Sequence, residues 1–179
     1  MGSSRQLSSS ANAGVRPLLQ RRFDLFMVAF FLMHIPVTAI VDSQIVLPRD
    51  WYPAWARDLL NWYLSTFNDP LIKQGQPWFV SLCYTEVYLQ FPFFFVGAYA
   101  FAFAREWVRP GAVVYGFCTA TTLVPILAEI LTSNDHSFNK AILCGFYLPF
   151  LVVPLAIGFR ALSRPLLFQP PTKESFKIL

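Results

Sequence analysis

A histidine and two carboxylates stand in stretches of the sequence that are otherwise apolar. His34, Thr38 and Asp42 follow one another at intervals of one helical turn, so they would share one face of a helix. Glu86 and Gln90 have the same spacing in a second apolar stretch. A carboxylate in an apolar medium either takes up a proton or pairs with a cation. These residue types therefore predict a site that binds an amine or transfers a proton.

The composition places this site in a membrane. Of the 179 residues, 55% are hydrophobic and only 13% are charged, which is too apolar for an ordinary soluble domain. Basic residues that flank membrane spans account for the formal net charge of +4, so we expect no nucleic-acid partner. Ionisable groups inside a span cost about 2.5 to 3.5 kcal/mol each, which makes them candidates for function.

Four stretches are long and apolar enough to cross a bilayer. They predict an all-α fold, an antiparallel four-helix transmembrane bundle, with spans at residues 23–41, 79–103, 111–131 and 141–162. We expect one membrane domain over residues 23–162.

Basic residues predict the orientation of the bundle. Ten lysines and arginines fall on the side of the two termini and four on the other, so both tails, 1–22 and 163–179, are expected in the cytosol. The first tail is also rich in serine and arginine, which leaves open a mitochondrial-type targeting segment.

The loop between the first two spans is rich in aromatic residues. From Tyr52 to Phe67 the apolar positions recur at helical spacing, and tryptophans such as Trp55 and Trp62 favour the headgroup region. The pattern predicts a short interfacial helix over the mouth of the bundle. A purely surface-bound amphipathic segment fits the pattern equally well.

Prolines away from the span ends predict kinked helices, because an internal proline removes a backbone hydrogen bond. Helices that are kinked near mid-span could bow outward around a cavity. The prolines concerned are Pro36, Pro92, Pro125, Pro149 and Pro154.

Each polar candidate also has a simpler interpretation. His34 could be a hydrogen-bonded core histidine, and Asp42 lies close enough to the predicted span boundary to be a helix cap. Glu129 is near a span end, where we expect it to be solvated. Thr122 and Tyr147 could serve only as hydrogen-bonding links between helices. Glu86 is well inside its span, so it is the candidate that is hardest to explain in this way.

Several motifs together resemble the EXPERA family of four-helix membrane proteins. The resemblance extends over residues 23–162, and its motifs are HIPVTAIVDSQIVLPRDWYP, FNDPLI, the segment from Glu86 to QFPFF, ATTLVPIL and FYLPFLVVPL. It implies a pocket for a sterol or an amine-bearing lipophilic ligand, contact with membrane lipid, an endoplasmic reticulum membrane location and a possible homodimer. No cofactor or metal is implied. Fungal members are linked to the handling of mitochondrial precursor proteins, which is an alternative role.

The resemblance to the receptor branch of the family also implies roles for single residues. Asp42 takes the place of the aspartate that binds the ligand amine, and Asp69 takes that of a second, supporting aspartate. Four further positions match residues of the receptor pocket: Glu86, Gln90, Thr122 and Tyr147. Phe150 departs from the pattern, since the receptor has tyrosine there.

The sterol-isomerase branch of the family resembles the chain less well. His34 and Glu86 match positions of its proton shuttle, but Thr38 stands where that branch has a glutamate. Moving a double bond requires one proton to be delivered and another to be removed, so the missing acid matters. We therefore expect a binding protein, with no residue assigned a catalytic role, and keep isomerase activity as the alternative.

Overall fold

The computed structural model of the chain describes residues 16–168, and this part is helical without any strand. A π-helical turn, Glu86–Gln90, joins the helices Pro77–Thr85 and Phe91–Ala102 into one continuous span. The helices are α1 (Arg22–Ile40), α2 (Ala54–Phe67), α3 (Pro70–Gln74), α4 (Pro77–Thr85), α5 (Phe91–Ala102), α6 (Arg109–Thr132) and α7 (Lys140–Ser163). The all-α prediction is confirmed.

Within residues 16–168, four helical segments are long and apolar enough to cross a membrane. They are Arg22–Ile45, Pro77–Ala102, Glu106–Thr132 and Lys140–Ser163, and each contains or overlaps one predicted span. The first and last helices are joined at one end of the bundle by the ion pair between Asp24 and Arg160. Both ends of the described chain therefore lie at the same end of the bundle. The cytosolic orientation of that end stays a prediction, and the proposed targeting segment lies largely outside the described residues.

The predicted helix in the first loop is present as α2. Its buried side chains are Ala56 and Leu60, whereas Trp55 and Trp62 are both more than half exposed. The amide of Gln44, at the end of the first span, donates a hydrogen bond of 2.9 Å to the Ala56 carbonyl. Helix α2 is therefore held against the bundle by Ala56 and Leu60, and its tryptophans face outward.

An aromatic core joins α1 to α5. The rings of Phe31, Phe94 and Phe101 are fully buried, and a Cβ atom added to Gly97 would stand 2.8 Å from the Phe31 ring. Because lipid tails are as apolar as these rings, close packing rather than exclusion from water holds such helices together. Gly97 thus allows the ring of Phe31 to approach the α5 backbone.

Helices α6 and α7 approach each other through a pair of glycines. A Cβ atom at Gly116 would stand 2.5 Å from the Pro154 carbonyl oxygen and 2.6 Å from the Gly158 Cα atom. Contacts this short cannot be relieved by rotating a side chain, since both partners are backbone atoms. Small residues at such crossings let helix backbones pack in van der Waals contact.

We expect Gly116→Ala to separate α6 from α7 and to lower the free energy of unfolding by about 1 to 3 kcal/mol, the usual cost of overpacking. Thermal unfolding of the purified protein in detergent measures the loss. Gly145→Ala is the matched control, because Gly145 lies on α7 with nothing within 4 Å of the added carbon. Equal stability of the two variants would contradict the close crossing.

Candidate functional site

The hydroxyl of Thr38 lies between two carboxylates. Its Oγ1 donates to Glu86 Oε1 at 2.8 Å and also lies 3.3 Å from Asp42 Oδ2. A hydroxyl carries one hydrogen, so it satisfies only one of these two acceptors at a time. The other carboxylate has an unused acceptor in a region where carboxylates are costly. The arrangement therefore favours a further donor or a cation beside the pair.

His34 completes this cluster from the same face of α1. Its Nε2 atom lies 3.4 Å from Glu86 Oε1, and the ring is packed against those of Phe94 and Phe150, with centroid distances of 4.2 and 4.5 Å. Its other nitrogen, Nδ1, is buried without a hydrogen-bond partner in the described part of the chain. His34 is thus both a packed core residue and a neighbour of the carboxylates.

The cluster has the spacing of a cation-binding site. One ligand atom each from His34, Asp42 and Glu86 lie within 4.8 Å of one another. A ligand ammonium group that forms hydrogen bonds to two carboxylates needs oxygens at about this separation. The expectation that no metal binds here stays a prediction.

The π-helical turn presents Glu86 and Gln90 to the bundle. The Phe91 amide donates to the Glu86 carbonyl five residues back, and Pro92, which has no N–H group, follows directly. The Gln90 side-chain oxygen accepts a hydrogen bond of 3.1 Å from Thr119 on α6. Turns of this kind inside α-helices occur often at functional sites. Sequence periodicity did not reveal this one, although the proline marks its position.

Aromatic side chains pack closely around the cluster, so a cavity at this place stays a prediction. Two cavities of about 540 and 210 Å³ lie elsewhere, the first beside the loop that precedes α7 and the second at the opposite end of the bundle. The rings of Phe94 and Phe150 fill the space around His34 instead. A ligand that enters from Asp42 would have to displace these rings or keep its apolar body in the lipid.

Asp69 lies in a separate polar centre. It is fully buried, and its Oδ1 atom accepts from the Leu71 amide at 2.9 Å, which caps α3. Its Oδ2 atom accepts from the hydroxyls of Tyr63 and Tyr147 at 2.9 and 2.8 Å. Burial and the nearby charge of Asp69 raise the pKa of Tyr63 above its ordinary value. Asp69 thus links α2, α3 and α7.

The structure therefore does not bring every predicted site residue together. His34, Asp42 and Glu86 meet at Thr38, and Gln90 extends the site toward α6. Asp69 and Tyr147 bond to each other, so a supporting effect of Asp69 on Asp42 has to be transmitted through the packing of the helices. Thr122 donates to the Thr119 carbonyl of its own helix at 2.7 Å, and Glu129 is exposed near the end of α6.

A third polar centre was not recognised from the sequence. Asp24 is 1% exposed and forms ion pairs with Arg21, at 2.8 Å, and with Arg160. Arg21 also donates to the carbonyls of Phe101 and Ala102 at the end of α5. The signal was available: an antiparallel bundle places an acid in the first turn of the first span beside a base in the last turn of the fourth.

The four spans and the intramembrane carboxylate cluster define a helical membrane protein with a polar site inside the bilayer. Residues 55–161 match the sequence profile of EXPERA, the expanded EBP superfamily. The chain belongs to the EXPERA family, as its motifs indicated.

Relatives extend this similarity over most of the chain. Sigma intracellular receptor 2 of Homo sapiens is 35% identical over 162 residues, which cover 83% of this chain and 92% of the relative. The Xenopus tropicalis receptor of the same name is 38% identical over 146 residues, 76% and 85% of the two chains. Efficient mitochondria targeting-associated protein 19 of Saccharomyces cerevisiae is 25% identical over 162 residues, 79% and 98%. The chain is thus a sigma-2-receptor-like member of the family.

Replacement of Asp69 tests its part in the fold. Asp69→Ala removes one helix cap and leaves two tyrosine hydroxyls without their acceptor, so we expect the free energy of unfolding to fall by about 3 kcal/mol or more. Thermal unfolding in detergent measures the change. Asp58→Ala removes an exposed aspartate from α2 and should have little effect. If both variants were equally stable, Asp69 would not be the link between these helices.

Proposed function

We propose that the protein binds a sterol or a cationic amphiphile at the carboxylate pair formed by Asp42 and Glu86. The observation that carries the proposal is the hydroxyl of Thr38, which lies within hydrogen-bonding distance of both carboxylates inside a membrane-spanning segment. Such a pair gains most from a ligand that brings a positive charge or a hydroxyl donor.

The two carboxylates would have different roles. Asp42 is half-buried in the turn that ends the first span, so a ligand arriving along the membrane interface reaches it first. Glu86 is held by Thr38 and lies beside His34, with its side chain 23% exposed. Asp42 would therefore bind the ligand amine or sterol hydroxyl directly, and Glu86 would support it.

The remaining predicted residues would act around this pair. Gln90, which is bonded to Thr119, would hold the second and third spans in register at the level of the ligand. Thr122 and Tyr147 are proposed as lining residues, as the family resemblance implies. Asp69 would act at a distance, by fixing the position of Tyr147 and so of α7.

Asp42→Asn tests the direct contact with the ligand. The substitution keeps the shape and removes the charge, so we expect affinity for a lipophilic amine to fall by tenfold to a hundredfold, as roughly estimated for a lost charge-assisted hydrogen bond. Equilibrium binding of a radiolabelled or fluorescent amine to the purified protein measures it. Glu129→Gln removes an exposed carboxylate of α6 and should leave the affinity unchanged. Unchanged binding by Asp42→Asn would remove Asp42 from the site.

Sterol isomerisation is a second candidate, and one contact favours it. His34 Nε2 and Glu86 Oε1 are 3.4 Å apart, a pair able to pass a proton once a substrate tightens the geometry. The neutral hydroxyl of Thr38, which has no acid function, stands between the carboxylates. The structure thus offers a donor and an acceptor without the additional acid of the isomerase branch.

Incubation of the purified protein with a Δ8-sterol separates the two functions. The binding proposal predicts no Δ7 product above the level of a protein-free control. Turnover that is lost in Glu86→Gln would establish the enzyme instead. Sterol analysis by mass spectrometry gives the product ratio directly.

The cellular setting is part of the same proposal. We place the protein in the endoplasmic reticulum membrane, with a role in sterol homeostasis and a homodimeric state, supported by its similarity to the sigma-2 receptors. The yeast relatives carry a name that refers to mitochondria targeting, and they support an alternative role with mitochondrial precursor proteins. That alternative does not require the carboxylate pair, so Asp42→Asn would leave it intact.

A further inference from the structure

A second candidate binding site lies at the opposite end of the bundle from Asp42. A cavity of about 210 Å³ is lined by five arginines and one aspartate, a formal net charge of +4. The volume equals that of about seven water molecules in the liquid, which is room for a phosphate group with bridging water. The lining residues are Arg16, Gln20, Arg21, Arg22, Phe23, Asp24, Arg160, Arg164 and Phe168.

Asp24 does not neutralise this charge, because it is already fully engaged. Its two oxygens accept from Arg21 and from Arg160, and its side chain is buried. Carbonyl oxygens hold these two guanidinium groups further: Arg21 donates to Phe101 and Ala102, and Arg160 donates to Leu167. Two of the five positive charges are therefore fixed in position before any ligand arrives.

The other three arginines are available to a ligand. Arg16, Arg22 and Arg164 are exposed, and within residues 16–168 no carboxylate lies within ion-pair distance of them. Guanidinium groups bind phosphate oxygens through two parallel hydrogen bonds, which suits a converging set of this kind. The cavity thus combines two guanidinium groups held by hydrogen bonds with three exposed ones, and this combination favours an anion with more than one charge.

The surroundings of the cavity indicate that this anion is attached to a lipid. Arg22 is the first residue of the first span, Arg160 stands in the last turn of the fourth, and Arg164 follows it directly, so a bilayer around these spans would bring its headgroups close to them. Leu19 and Leu166, close by in the chain, are exposed by 80% and 44%. Apolar side chains beside a basic cavity at a span end match an amphiphile with an anionic head. Basic pockets between spans bind such headgroups in other membrane proteins.

We propose that this cavity binds the phosphate of an anionic phospholipid, preferentially one with a phosphomonoester headgroup such as phosphatidic acid. The phosphate lies between the fixed guanidinium groups of Arg21 and Arg160, and the exposed arginines close around it. The positive-inside rule places this end at the cytosolic leaflet, which is the anionic one. The site is independent of the carboxylate pair and of its ligand.

Native mass spectrometry of the full chain, purified in neutral detergent, tests the proposal. We expect phosphatidic acid to remain bound under conditions that remove phosphatidylcholine. The double variant Arg22→Gln with Arg164→Gln should weaken phosphatidic acid binding roughly thirtyfold, from the usual contribution of each arginine near a charged membrane surface. Neither residue bonds to Asp24, so the end of the bundle should stay folded.

A double variant of equal charge provides the control. Arg49→Gln with Lys73→Gln removes two exposed positive charges from the other end of the bundle and should leave phosphatidic acid binding unchanged. If both double variants weakened phosphatidic acid binding equally, the lipid would be attracted by the overall positive charge of the protein, and the proposed site would be wrong. Glycerol 3-phosphate carries the same headgroup without acyl chains. If it displaced phosphatidic acid at equal concentration, the cavity would be a site for a soluble phosphate and the lipid assignment would be wrong.

Discussion

The hydrogen bond from Thr38 to Glu86 is the contact on which the polar site depends. It joins the first span to the second at the π-helical turn, at 2.8 Å, and it brings Glu86 within reach of both His34 and Asp42. Thr38 is fully buried, so its hydroxyl has no water as an alternative partner, and the pairing orients the two helices as well as satisfying the groups. An isomerase-like glutamate at position 38 would add a third carboxylate to this space.

Two other buried aspartates also link separate helices through side-chain contacts. Asp24 links the first and fourth spans through arginines, and Asp69 links α2, α3 and α7 through tyrosine hydroxyls. The partners of the two aspartates differ in charge, since tyrosine hydroxyls are neutral and arginine guanidinium groups are positive. Tyrosine hydroxyls leave the Asp69 centre compact and without added charge, whereas arginines leave an excess of positive charge around Asp24. Of these two centres, the one around Asp24 therefore lines a cavity with an excess of positive charge, which suits an anionic headgroup.

The close approach of the helices depends on a few glycines and phenylalanines at specific positions rather than on the overall apolar composition. Gly116 and Gly158 bring α6 and α7 together, and Gly97 receives the ring of Phe31. Phe94 and Phe150 complete the packing around His34. A binding site built in this way is filled by side chains, so ligand entry would be coupled to movement of those rings.

Much of this protein was predictable from sequence because the bilayer imposes strict rules. Length and apolarity identify the spans. Spacing puts His34, Thr38 and Asp42 on one face of a helix. Glu86 is recognisable as a site residue because a carboxylate inside a span is energetically costly. The motifs identified the family, and the helix in the first loop was also expected. Its buried residues, Ala56 and Leu60, were not predicted, because the tryptophans that prefer the headgroup region also recur at helical spacing.

The sequence by itself determined which residues lie in the membrane and which of them are costly there, since both follow from local composition. Only the tertiary structure decided their partners. Asp69 bonds to Tyr63 and Tyr147 rather than to Asp42, and Asp24 pairs with an arginine 136 residues away. The reason is physical: burial cost is a property of each residue, whereas hydrogen-bond partners depend on helix rotation and crossing, which packing at positions such as Gly116 sets.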